Sequence, residues 1–306
     1  MLFEQIASNK RKTVLIVIGF FLFVLLVGAA IGILVWNNYL NGLLWATVIG
    51  IIYIGLMLMQ SSAVVMRMNH AREITNKEEA PVLFETVESM AMVAGIPMPR
   101  VYIVNDGSPN AFATGTSPKN GAVAVTTGLL DRLDRYELEG VIAHEVSHIR
   151  NFDIRLSTIA IALVAVIAIL SDLAMRMLFW GSLTGRGNDR KSSDNNNSNG
   201  WVQLVIYVVA LIFVILAPVI ATAIQFALSR NREFLADASA VELTRNPEGL
   251  IKALEKISQT PEKMEEVSAA SESIYFASPL KSKKEKPGLF DSHPPISARI
   301  DRLQAM

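Results

Sequence analysis

The chain has 306 residues, 51% of them hydrophobic, and its mean hydropathy of +0.37 is too high for an ordinary soluble domain. Its 28 basic and 28 acidic residues cancel, so the charge balance favours no polyanion and the partner expected is not nucleic acid. Cysteine is absent, which excludes a disulfide framework and a thiol nucleophile and leaves His, Asp and Glu to hold any metal.

Residues 1–9 make a short amphipathic start, and Lys10, Arg11 and Lys12 follow. Residues 13–36 then run without a charge. A hydrocarbon core of about 30 Å needs about 20 helical residues, so this run is long enough to span. A cleaved signal would be shorter and would not lead at once into another apolar run. Residues 37–42 form a polar turn, and residues 42–66 are the second spanning candidate, with Arg67, His70, Arg72 and Lys77 just beyond. Cationic residues flank the outer ends of this hairpin and are missing from its loop. The positive-inside rule therefore puts both ends in the cytoplasm. His70, beside Arg67 and Arg72, reads as an interface residue rather than a ligand.

Residues 76–152 read as soluble and mixed. Helical periodicity covers residues 80–94, with Pro81 in the first turn and Gly95 at the end. Short strands are predicted at 101–104, 110–115 and 121–126, the last two joined by a Ser-Pro-Lys-Asn turn. The small residues of these strands suit close packing. They equally suit addition of a substrate as a further strand, held by main-chain hydrogen bonds.

A helix predicted over residues 131–150 carries His144-Glu145-Val146-Ser147-His148. Residues i and i+4 stand on one helix face, so two imidazoles at that spacing can share a metal ion. Glu145 is close enough to act on water at that ion. Zinc is the metal expected, because imidazole suits it and its catalytic sites use three protein ligands plus an open position. Leu138, Val141, Ile142, Val146 and Ile149 supply the apolar stripe that a helix buried beside a metal needs.

A third apolar run covers residues 157–180, with Asp172 and Arg176 at i,i+4, and a polar low-complexity stretch follows at 181–200. The fourth run, 201–228, has Trp201 at one end and Pro218 as a kink, and Arg230 and Arg232 come after it. A buried helical hairpin in a soluble domain is the competing reading for these two runs. Residues 281–286 (Lys-Ser-Lys-Lys-Glu-Lys) form a solvated basic loop near the anionic leaflet. His293-Pro294-Pro295 then opens a final helix over 296–304.

Two histidines plus a glutamate, with water in the fourth position, is an established catalytic zinc set. Glu233 and Asp237 share a helix face. Glu233 could reach the metal while Asp237 accepts the free N–H of a liganding histidine. Asp153, Asp237 and His293 are the rivals for the third position.

Taken together, four apolar runs, the His144–His148 motif between the second and third, and Arg-Glu-Phe-Leu-Ala-Asp after the fourth resemble the HtpX-type membrane zinc metalloproteases. These belong to a broader family that includes the CAAX prenyl endopeptidases. The resemblance implies a mainly α integral membrane protein with four transmembrane helices and a cytoplasmic α+β zincin-like (gluzincin) metalloprotease domain. Its parts would be an N-terminal hairpin at 1–75, a first catalytic part at 76–156, a second hairpin at 157–228 and a second catalytic part at 229–306. It places one zinc ion on His144, His148 and Glu233, the general base at Glu145 and the supporting acid at Asp237. Asn110, Ala111, Phe112, Ala113 and Thr114 resemble the family's substrate-facing strand. His293 and Arg299 match residues that the family places at the substrate or transition state. A histidine that merely caps a turn is the alternative for His293.

The implied activity is zinc-dependent cleavage of membrane or misfolded proteins on the cytoplasmic side of a bacterial plasma membrane, as quality control under stress. Its partners would be membrane-protein or peptide substrates and the lipid bilayer. Prenyl-peptide processing is the nearest alternative, a non-catalytic metal-binding scaffold a second, and a transporter a third. Asp172 and Arg176 alone make a sparse polar lining for an ion path.

Overall fold

A computed structural model of the protein describes residues 2–164, 230–260, 263–264, 271–279 and 293–306. Most of the third run, the stretch 181–200, the fourth run, Asp172, Arg176 and the basic loop 281–286 lie outside the described residues.

Both charge-free N-terminal runs fold as long helices, α1 (Leu2–Trp36) and α2 (Tyr39–Met68), and both are long and apolar enough to cross a membrane. Leu15, Leu22 and Leu26 on α1 and Leu44, Ile49 and Met59 on α2 are exposed, an arrangement costly in water and natural in lipid. The turn between them places Asn37 at a φ of 48°, and the Asn38 side chain accepts from the Leu40 amide at 2.9 Å. Glycines let the two helices approach closely: a Cβ on Gly32 would stand 2.7 Å from the Gly42 Cα, and one on Gly28 would collide with the Ala46 side chain.

The chain forms two compact units. One is drawn from Met1–Thr13, Leu58–Ala162 and Ala223–Met306, and the other includes Val14–Met57. In the first unit, a four-stranded sheet has the order β1-β2-β4-β3, with β1 Ala71–Ile74, β2 Arg100–Val104, β3 Ala111–Thr114 and β4 Ala122–Thr126. The β2–β4 pair is parallel and the other two are antiparallel. Strand β1 is absent from the sequence reading, because an edge strand reading Ala-Arg-Glu-Ile buries only Ile74 and shows no apolar alternation.

The sheet is covered on both faces, and its inner strands β2 and β4 are accordingly apolar along most of their length. Val101, Ala113, Val123 and Val125 face a helical layer, whereas Tyr102, Phe112, Ala122 and Ala124 meet Val65 and Met66 of α2 together with Ile161 and Tyr275. Ile161 belongs to α6, a helix described from residue 153 to 164. The helical layer contains α3 (Pro81–Ala94), α7 (Arg230–Thr244), α8 (Pro247–Gln259) and α9 (Ile296–Gln304) around a central α5 (Arg135–Arg150).

The single helix predicted over residues 131–150 is two. A short α4 (Thr127–Arg132) ends at Leu133, and α5 starts afresh behind Asp134, whose side chain accepts from the Tyr136 and Glu137 amides. Glu137 completes the capping box by accepting from the Asp134 amide at 2.8 Å. The same buried carboxylate takes Lys256 Nζ at 2.6 Å, which ties α5 to α8. Gly140 and Gly249 bring those helices into backbone contact: a Cβ on Gly140 would lie 2.7 Å from the Leu250 nitrogen. From Gly140 through Ser147 every α5 residue is buried, so any polar side chain there must find a partner inside the protein.

Candidate metal centre

His144 and His148 lie on one face of α5, with their Nε2 atoms 3.1 Å apart. Helix α7 brings Glu233 to them, its Oε2 3.8 Å from His144 Nε2 and its Oε1 3.6 Å from His148 Nε2. These three side chains form a group that could hold a metal ion. They line one cleft with Glu145, Ala113, Asp153, Arg232, Ser273, Tyr275, Phe276 and His293.

Each of the three rival residues stands behind one of these side chains. Asp237, one turn along α7 from Glu233, lies 2.9 Å from His144 Nδ1 through its Oδ1. Asp153 Oδ2 is 3.2 Å from His148 Nδ1. His293 Nδ1 is 3.2 Å from Glu233 Oε2. A carboxylate oxygen only accepts, so both Nδ1 atoms carry a proton, and in the neutral rings both Nε2 atoms turn lone pairs into the gap. Two imidazole lone pairs and a carboxylate then converge, a crowding that a cation or a shared proton relieves.

The protonation equilibria reflect this crowding. Burial depresses His144 to about 4, and the charges of Arg299 and His148 push the same way against Asp237. Burial also opposes charge on His148, but the Asp153 hydrogen bond and the Glu233 and Asp153 charges outweigh it and raise it to about 9. For Glu233 burial would raise the carboxyl, yet His293, His148 and His144 hold it well below the usual range. Asp237 is drawn down to about 2, its burial overcome by Arg299 and His144. Glu145 goes the other way. Burial, with the Glu233 charge adding to it, lifts Glu145 to about 7, even though His148, Arg299 and the Ala113 backbone favour the ionised form. Its Oε1 is buried without a hydrogen-bond partner.

Arg299, which the resemblance places at the substrate, is turned away from the cleft. It is 1% exposed, and its guanidinium is committed: Nε donates to Asp237 Oδ2 (2.9 Å), Nη2 to Asp237 Oδ1 (2.6 Å) and Nη1 to the Phe276 carbonyl (2.9 Å). It also stacks on the Phe276 ring, with its Cζ 4.5 Å from the centroid. The geometry makes it a clamp on the acid behind His144.

The strand expected to face substrate is the sheet's edge, β3, and its free edge is partly taken. Phe276 donates its amide to the Ala111 carbonyl at 2.7 Å, and Phe112 bridges Tyr275. Asn110 does not face the cleft. Its Nδ2 donates to the Ala277 carbonyl (2.8 Å) and its Oδ1 accepts from the Ala277 amide (3.1 Å), so it pins the 271–277 segment in place. Thr114 Oγ1 is spent on Thr158 at 2.8 Å. Ala113 is the β3 residue that lines the cleft, with its backbone beside Glu145. Sequence reasoning missed the use of Asp153 behind His148 and of the Phe276 carbonyl. A buried acid just past the helix end is a weak signal for the first, and spacing offers none for the second.

The model of Peptidase family M48 matches residues 77–306, which include every side chain of this cleft. The chain belongs to peptidase family M48. It is accordingly a hydrolase of the metalloprotease class. Over its full length it is 78% identical to a protein of Listeria monocytogenes serotype 4a (strain HCC23) named Protease HtpX homolog, with 100% of each chain covered. A protein of the same name from Ligilactobacillus salivarius (strain UCC118) is 54% identical, again over 100% of both chains. A solved structure, the crystal structure of S. mikatae Ste24p, aligns at a TM-score of 0.47 with 16% identity, over 98% of this chain and 67% of that one.

Proposed function

We propose that the protein is a membrane-embedded zinc endopeptidase whose ion is held by His144, His148 and Glu233. The reading is carried by the convergence of those side chains beside Glu145, a buried carboxylate with an oxygen left unpaired. Zinc bonds of about 2.0–2.2 Å in a tetrahedron separate their ligand atoms by roughly 3.3–3.6 Å. The two Nε2 atoms are 3.1 Å apart, and one ligand atom from each of the three side chains lies within 4.8 Å of the others, so small side-chain shifts suffice for the set to close on an ion. At neutral pH the proton held on His148 does the ion's work of separating the lone pairs, and metal binding releases it.

When bound, zinc supplies a Lewis acid that polarises the scissile carbonyl and lowers the pKa of water from ~15.7 toward about 7. Glu145, raised to about 7, takes the attacking water's proton and delivers it to the leaving amine. Ala113 brings the β3 edge to the cleft, where an extended peptide can lie alongside it. His293 Nδ1 holds the second oxygen of Glu233, and its unpartnered Nε2 lies at the cleft. With Nδ1 donating to a carboxylate, that Nε2 can donate to an oxyanion only as the imidazolium. Asp237 and Asp153 hold the two histidine tautomers, and Arg299 acts through Asp237.

Positive charge at both outer ends of the α1–α2 hairpin, with none in its loop, supports a cytoplasmic site. Damaged or misfolded membrane proteins of a bacterial plasma membrane are the proposed substrates, since backbone pairing with β3 tolerates varied sequences. The test uses detergent-purified protein: bound zinc, casein cleavage that stops with chelator and returns with zinc, and a Glu145→Gln variant that keeps the metal. Full cleavage by that variant would remove Glu145 as base, and a zinc-free active protein would remove the metal.

A further inference from the structure

The two histidines lean on carboxylates that are themselves held in different ways. Arg299 clamps Asp237 from within the helical layer. Asp153 is held from the start of the chain: while Oδ2 faces His148 Nδ1 at 3.2 Å, Oδ1 accepts from Asn9 Nδ2 at 2.6 Å, across 144 positions of sequence. Asn9 and Asp153 are 4% and 3% exposed, so neither partner is replaced by bulk water. Lys10 stacks on the Phe152 ring at 4.5 Å, which gives the first turns of α1 a second foothold beside this pair.

We propose that Asn9 is a positioning residue of the metal site, acting on His148 through Asp153. A carboxylate rotates easily about its Cβ–Cγ bond, and a hydrogen bond on each oxygen fixes its plane. A neutral amide supplies the second bond without adding a cation that would compete with the imidazole for the acid's charge. Without Asn9, one buried oxygen is orphaned, the carboxylate turns to satisfy it, and His148 loses a fixed acceptor. The first turns of α1 thus complete the site, on the same helix as the first apolar run. A chain trimmed through Asn9 would keep all three ligands and hold zinc less firmly.

The inference rests on the reading of His148 as a zinc ligand. Its test is zinc affinity of the full chain in detergent, measured by competition with a chromophoric chelator. Losing a partner directly behind a ligand weakens binding roughly 10–100-fold; acting one bond further out, Asn9→Ala is expected to weaken it about 5–10-fold. Asn9→Asp keeps the shape, cannot donate and sets charge against charge, so its loss should be larger. In an Asp153→Ala background, Asn9→Ala should cost nothing more. Lys10→Ala, which loosens the segment without touching Asp153, should bind zinc as the wild type does. Wild-type affinity in both Asn9 variants, an equal loss in Lys10→Ala, or full additivity with Asp153→Ala would each overturn the proposal. Unchanged zinc binding in His148→Ala would instead sink the reading beneath it.

Discussion

Glu145→Gln should do more than stop catalysis. It should stabilise the chelator-stripped protein, and do so only where Glu145 is ionised. Burial lifts this carboxyl from the ordinary 4.5 to about 7. Below about pH 4.5 it is neutral in folded and unfolded chains alike, and its burial costs little. As pH rises through the folded value the charge must be carried inside the protein, so the native state loses what it held at low pH. At roughly 1.4 kcal/mol per pH unit, that rise corresponds to a penalty on the order of 3 kcal/mol above pH 7. Glutamine has the same shape and never pays it. At about 2–4 °C per kcal/mol, the variant should melt several degrees above the wild type at pH 8 and within a degree or so of it at pH 4.5. Thermal unfolding of stripped, detergent-solubilised protein across that window measures the difference. A gap that stays constant with pH, or narrows as pH rises, would refute the assignment of a desolvated carboxylate with one oxygen unpaired.

Arg299→Met should strand the Asp237 charge in the interior and cost about 3–5 kcal/mol, visible as a lowered denaturation midpoint; Arg299→Met with Asp237→Leu should recover much of it. Gly140→Val should force α5 away from the α8 backbone and destabilise by several kcal/mol, whereas Ala at the half-buried Glu139, one residue earlier, should lower the denaturation midpoint far less. If His293 stabilises the oxyanion, His293→Ala should lower kcat by roughly 10²–10³ with KM little changed, read from steady-state cleavage of a fluorogenic peptide. Gly32→Ile should disrupt the close approach of α1 and α2, seen as faster proteolysis of the solubilised chain.

Much of this protein follows from local rules that a sequence obeys by itself. The i,i+4 spacing of His144 and His148 dictates a shared face because helical pitch is fixed. Uninterrupted apolar runs dictate helices as long as α1 and α2, and Pro81, Gly95 and Pro295 mark the ends of elements where backbone geometry requires them. The third ligand position was not decided in this way. Glu233, Asp237, Asp153 and His293 all had suitable chemistry, and nothing in their spacing from His144 ranked them.

Packing separates those four by distance. It brought Glu233 to the imidazoles and set each of the others behind one member of the trio. The turn of Arg299 into the core, the capping of the β3 edge by Phe276 and the reach of Asn9 to Asp153 belong to the same class. Each depends on which buried polar atom finds a partner across a long stretch of chain. Local periodicity carries no record of such pairings, because they are set by the way helices and sheet close around groups that cannot be left unsatisfied in a dry interior.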